Sequence, residues 1–305
     1  MNRTTQISRW FSKHLDTSGI LPYITKMRVC VTIFVCTTLL LTLFFGTGCG
    51  VSRKSIYSVP RTKVASPPPT PLEEIILKGP SGHKLVGWFS RTTPHDDSTP
   101  VFLYFHGSGE NLQTVLGSRI FGEFASMGVH FLAIDYPGYG NSEGTPSEKS
   151  LIEAADTAFK WISRNFPPNP KFLCGWSMGA AVAVQTALNN LQNIDGVVLI
   201  SAWATYDSVA ANRFPKWINQ RLLKDHFNTI EVISSLEVPT LMLHGEFDRR
   251  ISINQSKSLS SSCPQLKKWV LLKGTGHDDA LGNKRVWDEI EAFVKNPEID
   301  WTARE

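Results

Sequence analysis

The sequence predicts an α/β fold, a mainly parallel central sheet flanked by helices. Three observations predict it. From about residue 72 onward, short apolar runs alternate with helix-length stretches, the pattern of right-handed strand–helix–strand crossovers. The runs near Leu103, Ile134, Leu173, Val198 and Leu241 are continuously apolar, as parallel strands covered on both faces must be. Finally, Gly175-Trp176-Ser177-Met178-Gly179 sits where the run Lys171-Phe172-Leu173-Cys174 meets a helix-like run from Ala180 to Leu191.

The elements follow in order. Glu73 to Lys78 and Lys84 to Ser90 flank Pro80-Ser81-Gly82 and read as an antiparallel hairpin at the sheet edge. Val101 to Phe105, Val129 to Ile134, Lys171 to Cys174, the stretch around Val198, Val238 to Leu243 and Trp269 to Leu272 read as the remaining strands. Helical stretches lie between them at Leu112 to Met127, Glu148 to Asn165, Met178 to Leu191, Ile251 to Ser262 and Lys284 to Lys295. At 305 residues and 42% hydrophobic content, the chain can bury one sizeable core, and a domain over 72–305 is of ordinary size.

Each strand end carries a polar or Gly-rich motif. These are His106-Gly107-Ser108-Gly109-Glu110-Asn111, then Asp135-Tyr136-Pro137-Gly138-Tyr139-Gly140-Asn141-Ser142-Glu143-Gly144, then the Ser177 pentapeptide. His244-Gly245-Glu246-Phe247-Asp248 and Gly274-Thr275-Gly276-His277 follow. In this order the motifs resemble those of the α/β-hydrolase family, over about residues 72 to 300. They are most similar to its serine-aminopeptidase-like, monoacylglycerol-lipase-like and depalmitoylating-thioesterase-like branch. The resemblance implies an α/β-hydrolase fold with a short cap insertion at 203–232. It speaks for the fold far more strongly than for the substrate.

The chemistry can also be read residue by residue. A serine between two glycines at a strand-to-helix junction fits the strained turn that presents a nucleophile. A hydroxyl is a poor nucleophile at neutral pH and needs a base. His277, in a Gly-rich loop after the last strand, is the expected base. Asp248 is the expected acid, with Glu246 as its local rival, and the order Ser…Asp…His matches the fold. Asp278 and Asp279 read as solvated loop carboxylates. The oxyanion donors expected are the backbone N–H of Met178, which begins a helix, and, by resemblance, that of Ser108, where the family often carries Asn. His106 is expected to be structural, and Asp135 and Ser142 to serve turn hydrogen bonds. Cys174 and Cys263 read as buried or semi-buried residues. Phe214, Trp217, Ile218, Arg221 and Leu222 follow helical spacing in the cap, for packing on the body or for an acyl groove or membrane contact.

The resulting expectation is a serine hydrolase cleaving a carboxylic ester or thioester of a small-molecule or lipid-like acyl substrate. A peptidase or amidase, or a catalytically silent binding protein of the same fold, are the alternatives. No cofactor or metal is implied.

Residues 1–49 hold five cationic side chains against Asp16, while the remaining 26 cationic and 26 anionic side chains balance. The basic balance therefore belongs to the N-terminal segment, and the domain offers no electrostatic footprint for nucleic acid. Val29 to Phe45 is uncharged and almost entirely apolar, and small residues lead from it to Cys49. The arrangement resembles a bacterial lipoprotein signal with Cys49 as the lipidation site, although Gly46 stands where that family usually has an aliphatic residue. An uncleaved single-pass anchor and an ordinary cleaved signal are the alternatives. Met27 offers a second start. Residues 1–49 are thus expected to be a signal sequence or membrane anchor. Residues 50–71, with Ser66-Pro67-Pro68-Pro69-Thr70-Pro71, read as an extended tether.

Overall fold

The computed structural model describes residues 31–32, 34–38, 56–210 and 225–297. The chain divides into Met1–Val51 and Ser52–Glu305. In the first unit, residues 31–32 and 34–38 are helical and exposed. Among the described residues, no helix is long and apolar enough to cross a membrane. Cys49 and Met27 lie outside the described residues, as does the expected cap helix at Phe214, Trp217, Ile218, Arg221 and Leu222.

The second unit is built on one eight-stranded sheet. Its strands are β1 (Glu73–Lys78), β2 (Lys84–Ser90), β3 (Val101–Phe105), β4 (His130–Ile134), β5 (Lys171–Trp176), β6 (Gly196–Ile200), β7 (Thr240–Gly245) and β8 (Leu266–Leu272). The spatial order is β1-β2-β4-β3-β5-β6-β7-β8. β1 pairs antiparallel with β2, and β2 antiparallel with β4. Every pairing from β4 to β8 is parallel. The expected edge hairpin and mainly parallel sheet are both present.

The continuous apolar runs feed two cores, because successive side chains of a strand point to opposite faces. Val101, Leu103 and Phe105 join one core, and Phe102 and Tyr104 join the other. Leu173 and Leu199 fall with the first group, Cys174 and Val198 with the second. On the first face pack α3 (Glu148–Asn165), α4 (Met178–Asn189) and α7 (Ile253–Ser262). On the second pack α1 (Leu112–Gly117), α2 (Ile120–Ser126) and α8 (Lys284–Lys295). The short helices α5 (Tyr206–Ala210) and α6 (Thr229–Val232) lie in the excursion between β6 and β7.

Two expectations need correction. The stretch from Leu112 to Met127 is two helices rather than one. In an unbroken helix, residue 119 would share the buried face of Leu112 and Val115, and it is an arginine. The chain instead turns at Arg119, with φ 66°, and α2 restarts so that Ile120, Phe121 and Phe124 are buried.

The second correction concerns 50–71. From Ile56 onward this segment is a strap bound to the body rather than a free tether. Ile56 and Tyr57 are buried in the first core, and Val64 in the second. Thr62 O accepts from Asn111 Nδ2 at 2.7 Å, Val64 O from Asn141 Nδ2 at 3.1 Å, and Ala65 N donates to Gln113 Oε1 at 3.2 Å. The prolines remove donors, but the strap's carbonyls still find amide partners.

Candidate active site

The carboxyl ends of β3, β5, β7 and β8 converge, and the loops leaving them carry Ser108, Ser177, Asp248 and His277. This is where ligands bind in open α/β sheets.

Ser177 is the turn residue between β5 and α4, with φ 57° and ψ −118°. That backbone is costly for a residue with a Cβ, by about 1–3 kcal/mol, and persists only where the surroundings enforce it. Ser177 N donates to Ile200 O at 2.9 Å, and Ala180 N returns to Ser177 O at 3.0 Å. The two glycines are required by close approach. A Cβ on Gly175 would lie 2.1 Å from Gly179 O, and one on Gly179 would lie 1.8 Å from Phe105 O. Helix α4 can therefore cross tightly over β3 and β5, and Ser177 lines a cavity of about 450 Å³.

The loops after β7 and β8 are fastened together. Glu246 N donates to Leu272 O and Phe247 N to Thr275 O. Gly245 permits this, since a Cβ there would meet Thr275 O at 2.6 Å. The result places Asp248 Oδ2 2.6 Å from His277 Nδ1, and His277 Nε2 3.1 Å from Ser177 Oγ. Asp248 Oδ1 accepts from the N–H groups of Arg250 and Ile251 at 2.9 and 2.7 Å. Burial opposes ionisation of Asp248, but the hydrogen bond and charge of His277 and the Ile251 N–H outweigh it. They hold the carboxyl below its usual range. An ionised Asp248 can only accept, so the proton between them sits on His277 Nδ1. The Nε2 lone pair then faces the Ser177 hydroxyl.

Glu246, the local rival, meets a different partner. Its carboxylate accepts from Gly274 N at 2.9 Å and braces the loop. Asp278 pairs with Arg250 at 2.7 Å, exposed, and Asp279 accepts from Gly276 N at 3.3 Å. Neither reaches the His277 ring nitrogens.

The Ser108 N–H is set by its own peptide unit. Gly107 O accepts from His106 Nδ1 at 2.8 Å and from Glu110 N at 3.2 Å. In a trans peptide the N–H points opposite the carbonyl, so anchoring Gly107 O aims the Ser108 N–H the other way. Ser108 lines the cavity, and Met178 directly follows Ser177 at the start of α4. His106, expected to be structural, is buried and performs this anchoring. Ser142 bridges the turn by donating to Asp135 O, as expected, and also accepts from Val86 N of β2, 56 residues away in the chain. Asp135 departs from a local turn role. Its buried Oδ1 accepts the Leu112 N–H at 3.0 Å and so holds the start of α1. Cys174 and Cys263 are buried, and burial raises both thiol pKa values.

Several site residues had no role in the sequence reading. Trp176 lies 5.2 Å from the His277 ring at 33° and walls one side of it. Glu110 is buried beside the cavity, and its Oε2 accepts the Gly107 N–H at 2.9 Å. His244 Nε2 bonds Ile251 O at 3.0 Å and fastens the Asp248 loop. All three stand inside motifs quoted from the sequence, which was the available signal. Ile56 and Ser58 also line the cavity, and nothing in their local pattern marks them.

Comparison with known proteins agrees with this architecture. The family described as serine aminopeptidase, S33, matches residues 96–232. An uncharacterized protein of Mycobacterium tuberculosis is 30% identical over 229 residues, covering 72% of this chain and 78% of its own. The uncharacterized protein YfhR of Escherichia coli K12 is 27% identical over 242 residues, covering 75% and 82%. The Pyrococcus furiosus esterase Pf2001 superposes with a TM-score of 0.62 at 18% identity, over 78% of this chain and 98% of that one. The sheet order, the tight crossing at Ser177 and these matches together establish that the chain belongs to the α/β-hydrolase superfamily.

Proposed function

We propose that this protein is a serine hydrolase that cleaves a carboxylic ester or thioester through an acyl-enzyme intermediate. The observation that carries the reading is the continuous chain Asp248 Oδ2–His277 Nδ1 at 2.6 Å and His277 Nε2–Ser177 Oγ at 3.1 Å. In this reading, Ser177 Oγ attacks the acyl carbon while His277 Nε2 takes its proton. Asp248 holds the imidazole in the reactive tautomer and stabilises the imidazolium. The Met178 and Ser108 N–H groups receive the oxyanion, each worth about 3–4 kcal/mol to the transition state. His277 then returns the proton to the leaving oxygen or sulfur. Water, activated by the same imidazole, releases the acid. A likeness to an esterase in Pf2001 is compatible with this reading.

The matched family's description favours amide cleavage as a second reading, since the same groups serve both reactions. Labelling with a fluorophosphonate tests the nucleophile, and rates on p-nitrophenyl esters against amino-acid p-nitroanilides separate the two substrates. Labelling lost in Ser177→Ala, with ester turnover the faster, is the expected result. An unlabelled folded protein is a binding scaffold and overturns the proposal.

The N-terminal segment is assigned to the membrane on its uncharged run and on Cys49, as an envelope lipoprotein in preference to a single-pass anchor. Mass spectrometry of the native N-terminus tests this. A mature chain that retains residues 29–45, with Cys49→Ser unchanged in mass and fractionation, refutes lipidation.

A further inference from the structure

We infer that the strap preceding β1 is part of the substrate site, and that Ile56 and Ser58 set which acyl chains it accepts. This rests on the serine-esterase reading of Ser177. Most of the cavity lining comes from the loops at the sheet's carboxyl ends, but Ile56 and Ser58 enter from a segment that belongs to no strand of the sheet. They do so on an anchored backbone. Tyr57, between them, is 5% exposed, and its ring meets the edge of Phe227 at 6.4 Å. Phe227 in turn meets Trp203 at 6.1 Å, and Trp203 meets Tyr206 at 5.5 Å. Burial, with Asp225 alongside, pushes the Tyr57 hydroxyl well above its usual range. Further along, the strap is tied to Asn111, the last residue of the motif that contains Ser108. The strap is thus pinned both to the aromatic wall and to the loop of the candidate oxyanion donor.

The cavity lining is mixed: Ile56, Trp176, Trp203, Tyr206, Val209 and Ile251 are apolar or aromatic, while Glu110, Arg249, Arg250 and Asp278 bring charge. The apolar group, which Ile56 joins from the strap, is the part of this surface that suits an aliphatic or aromatic acyl chain. Ile56 is 2% exposed and branched at Cβ, so its side chain has few rotamers with which to yield. Shortening it lengthens the apolar space. Ser58, by contrast, is exposed where it lines the cavity, so a larger side chain there obstructs entry without disturbing a core.

The test uses the full chain and p-nitrophenyl esters of graded acyl length. Ile56→Ala, which removes three carbons, should raise kcat/KM for the long esters relative to the short by at least about tenfold, the low end of what a single methylene is worth in an apolar pocket. Ser58→Trp should lower the same ratio by a similar factor and keep Tm unchanged. If Ile56→Ala does not fold, Ser58→Trp carries the test alone. Fluorophosphonate labelling of Ser177 runs in parallel. Labelled variants with the wild-type ratio overturn the strap's role and leave the esterase reading intact. A wild-type protein that does not label overturns both.

Discussion

Gly179 and Phe105 are in backbone contact: a Cβ on Gly179 would lie 1.8 Å from Phe105 O. The first turn of α4 is thereby pressed onto the end of β3, the strand whose outgoing loop carries Ser108. The two expected sources of oxyanion donors are brought together by the absence of one methyl group. Gly179→Ala must push the elements apart, and overpacking of this kind costs about 1–3 kcal/mol, occasionally more. We expect a cost at or above the top of that range in chemical denaturation, and loss of fluorophosphonate labelling in whatever fraction folds. A variant of wild-type stability and labelling would contradict the close crossing.

Asp248 and Glu246 lie two residues apart but serve different partners, His277 Nδ1 and Gly274 N respectively. Asp248→Asn should lower kcat by about 10⁴-fold, because an amide in that place favours the wrong imidazole tautomer. Glu246→Gln keeps an acceptor for Gly274 and should cost little activity. Steady-state rates on one p-nitrophenyl ester decide the matter, and a larger effect at Glu246 would reassign the acid.

His106 acts through Gly107 O, so its removal should loosen the orientation of the Ser108 N–H and leave the nucleophile in place. We expect His106→Ala to lower kcat by up to about 10²-fold with little change in KM, the lower end of the loss seen for a missing oxyanion donor. Active-site titration corrects for any unfolded fraction. A rise in KM at constant kcat would instead show His106 contributing to ground-state binding.

Glu110 offers a pH test of the site's electrostatics. Burial raises its pKa, against the opposing effects of His106, the Gly107 N–H and His277. An acid whose folded-state pKa is raised folds more favourably when neutral. Its contribution to stability is present below the unfolded value of 4.5 and is lost as pH rises through the folded value. Glu110→Gln keeps an acceptor for Gly107 and removes the titration. The variant's Tm should therefore gain on the wild type from acid toward neutral pH, then level off. A difference that is constant with pH would show that Glu110 does not titrate across this range.

Much of the site was legible because its signals are local. The turn at Ser177 needs glycines two residues on either side, and a strand before and a helix after, all within one short stretch. The β-edge hairpin, α3 and α8 were equally legible, since period-2 and period-3.6 patterns are set by neighbours in the chain. The break at Arg119 was missed because the apolar spacing looked helical throughout, and the arginine's place on the buried face emerges only when that face is known. The strap was missed for a related reason. Proline-rich composition describes an isolated chain, whereas Ile56, Tyr57 and Val64 are held by surfaces that exist only once the sheet and its helices are assembled.

By itself, then, the sequence determined the element order, the parallel sheet with its antiparallel edge, the identity of the tight turn and the candidates for nucleophile, base and acid. Only the tertiary structure decided which of two nearby carboxylates meets His277, which way the Ser108 N–H faces, and that the strap walls the cavity. The physical reason is range. Ser177 and His277 are 100 residues apart, and a hydrogen bond between them depends on how several strands and loops close on one another. Directional contacts need positions good to a fraction of an ångström, and those positions come from close-packed cores and backbone pairing rather than from any local pattern.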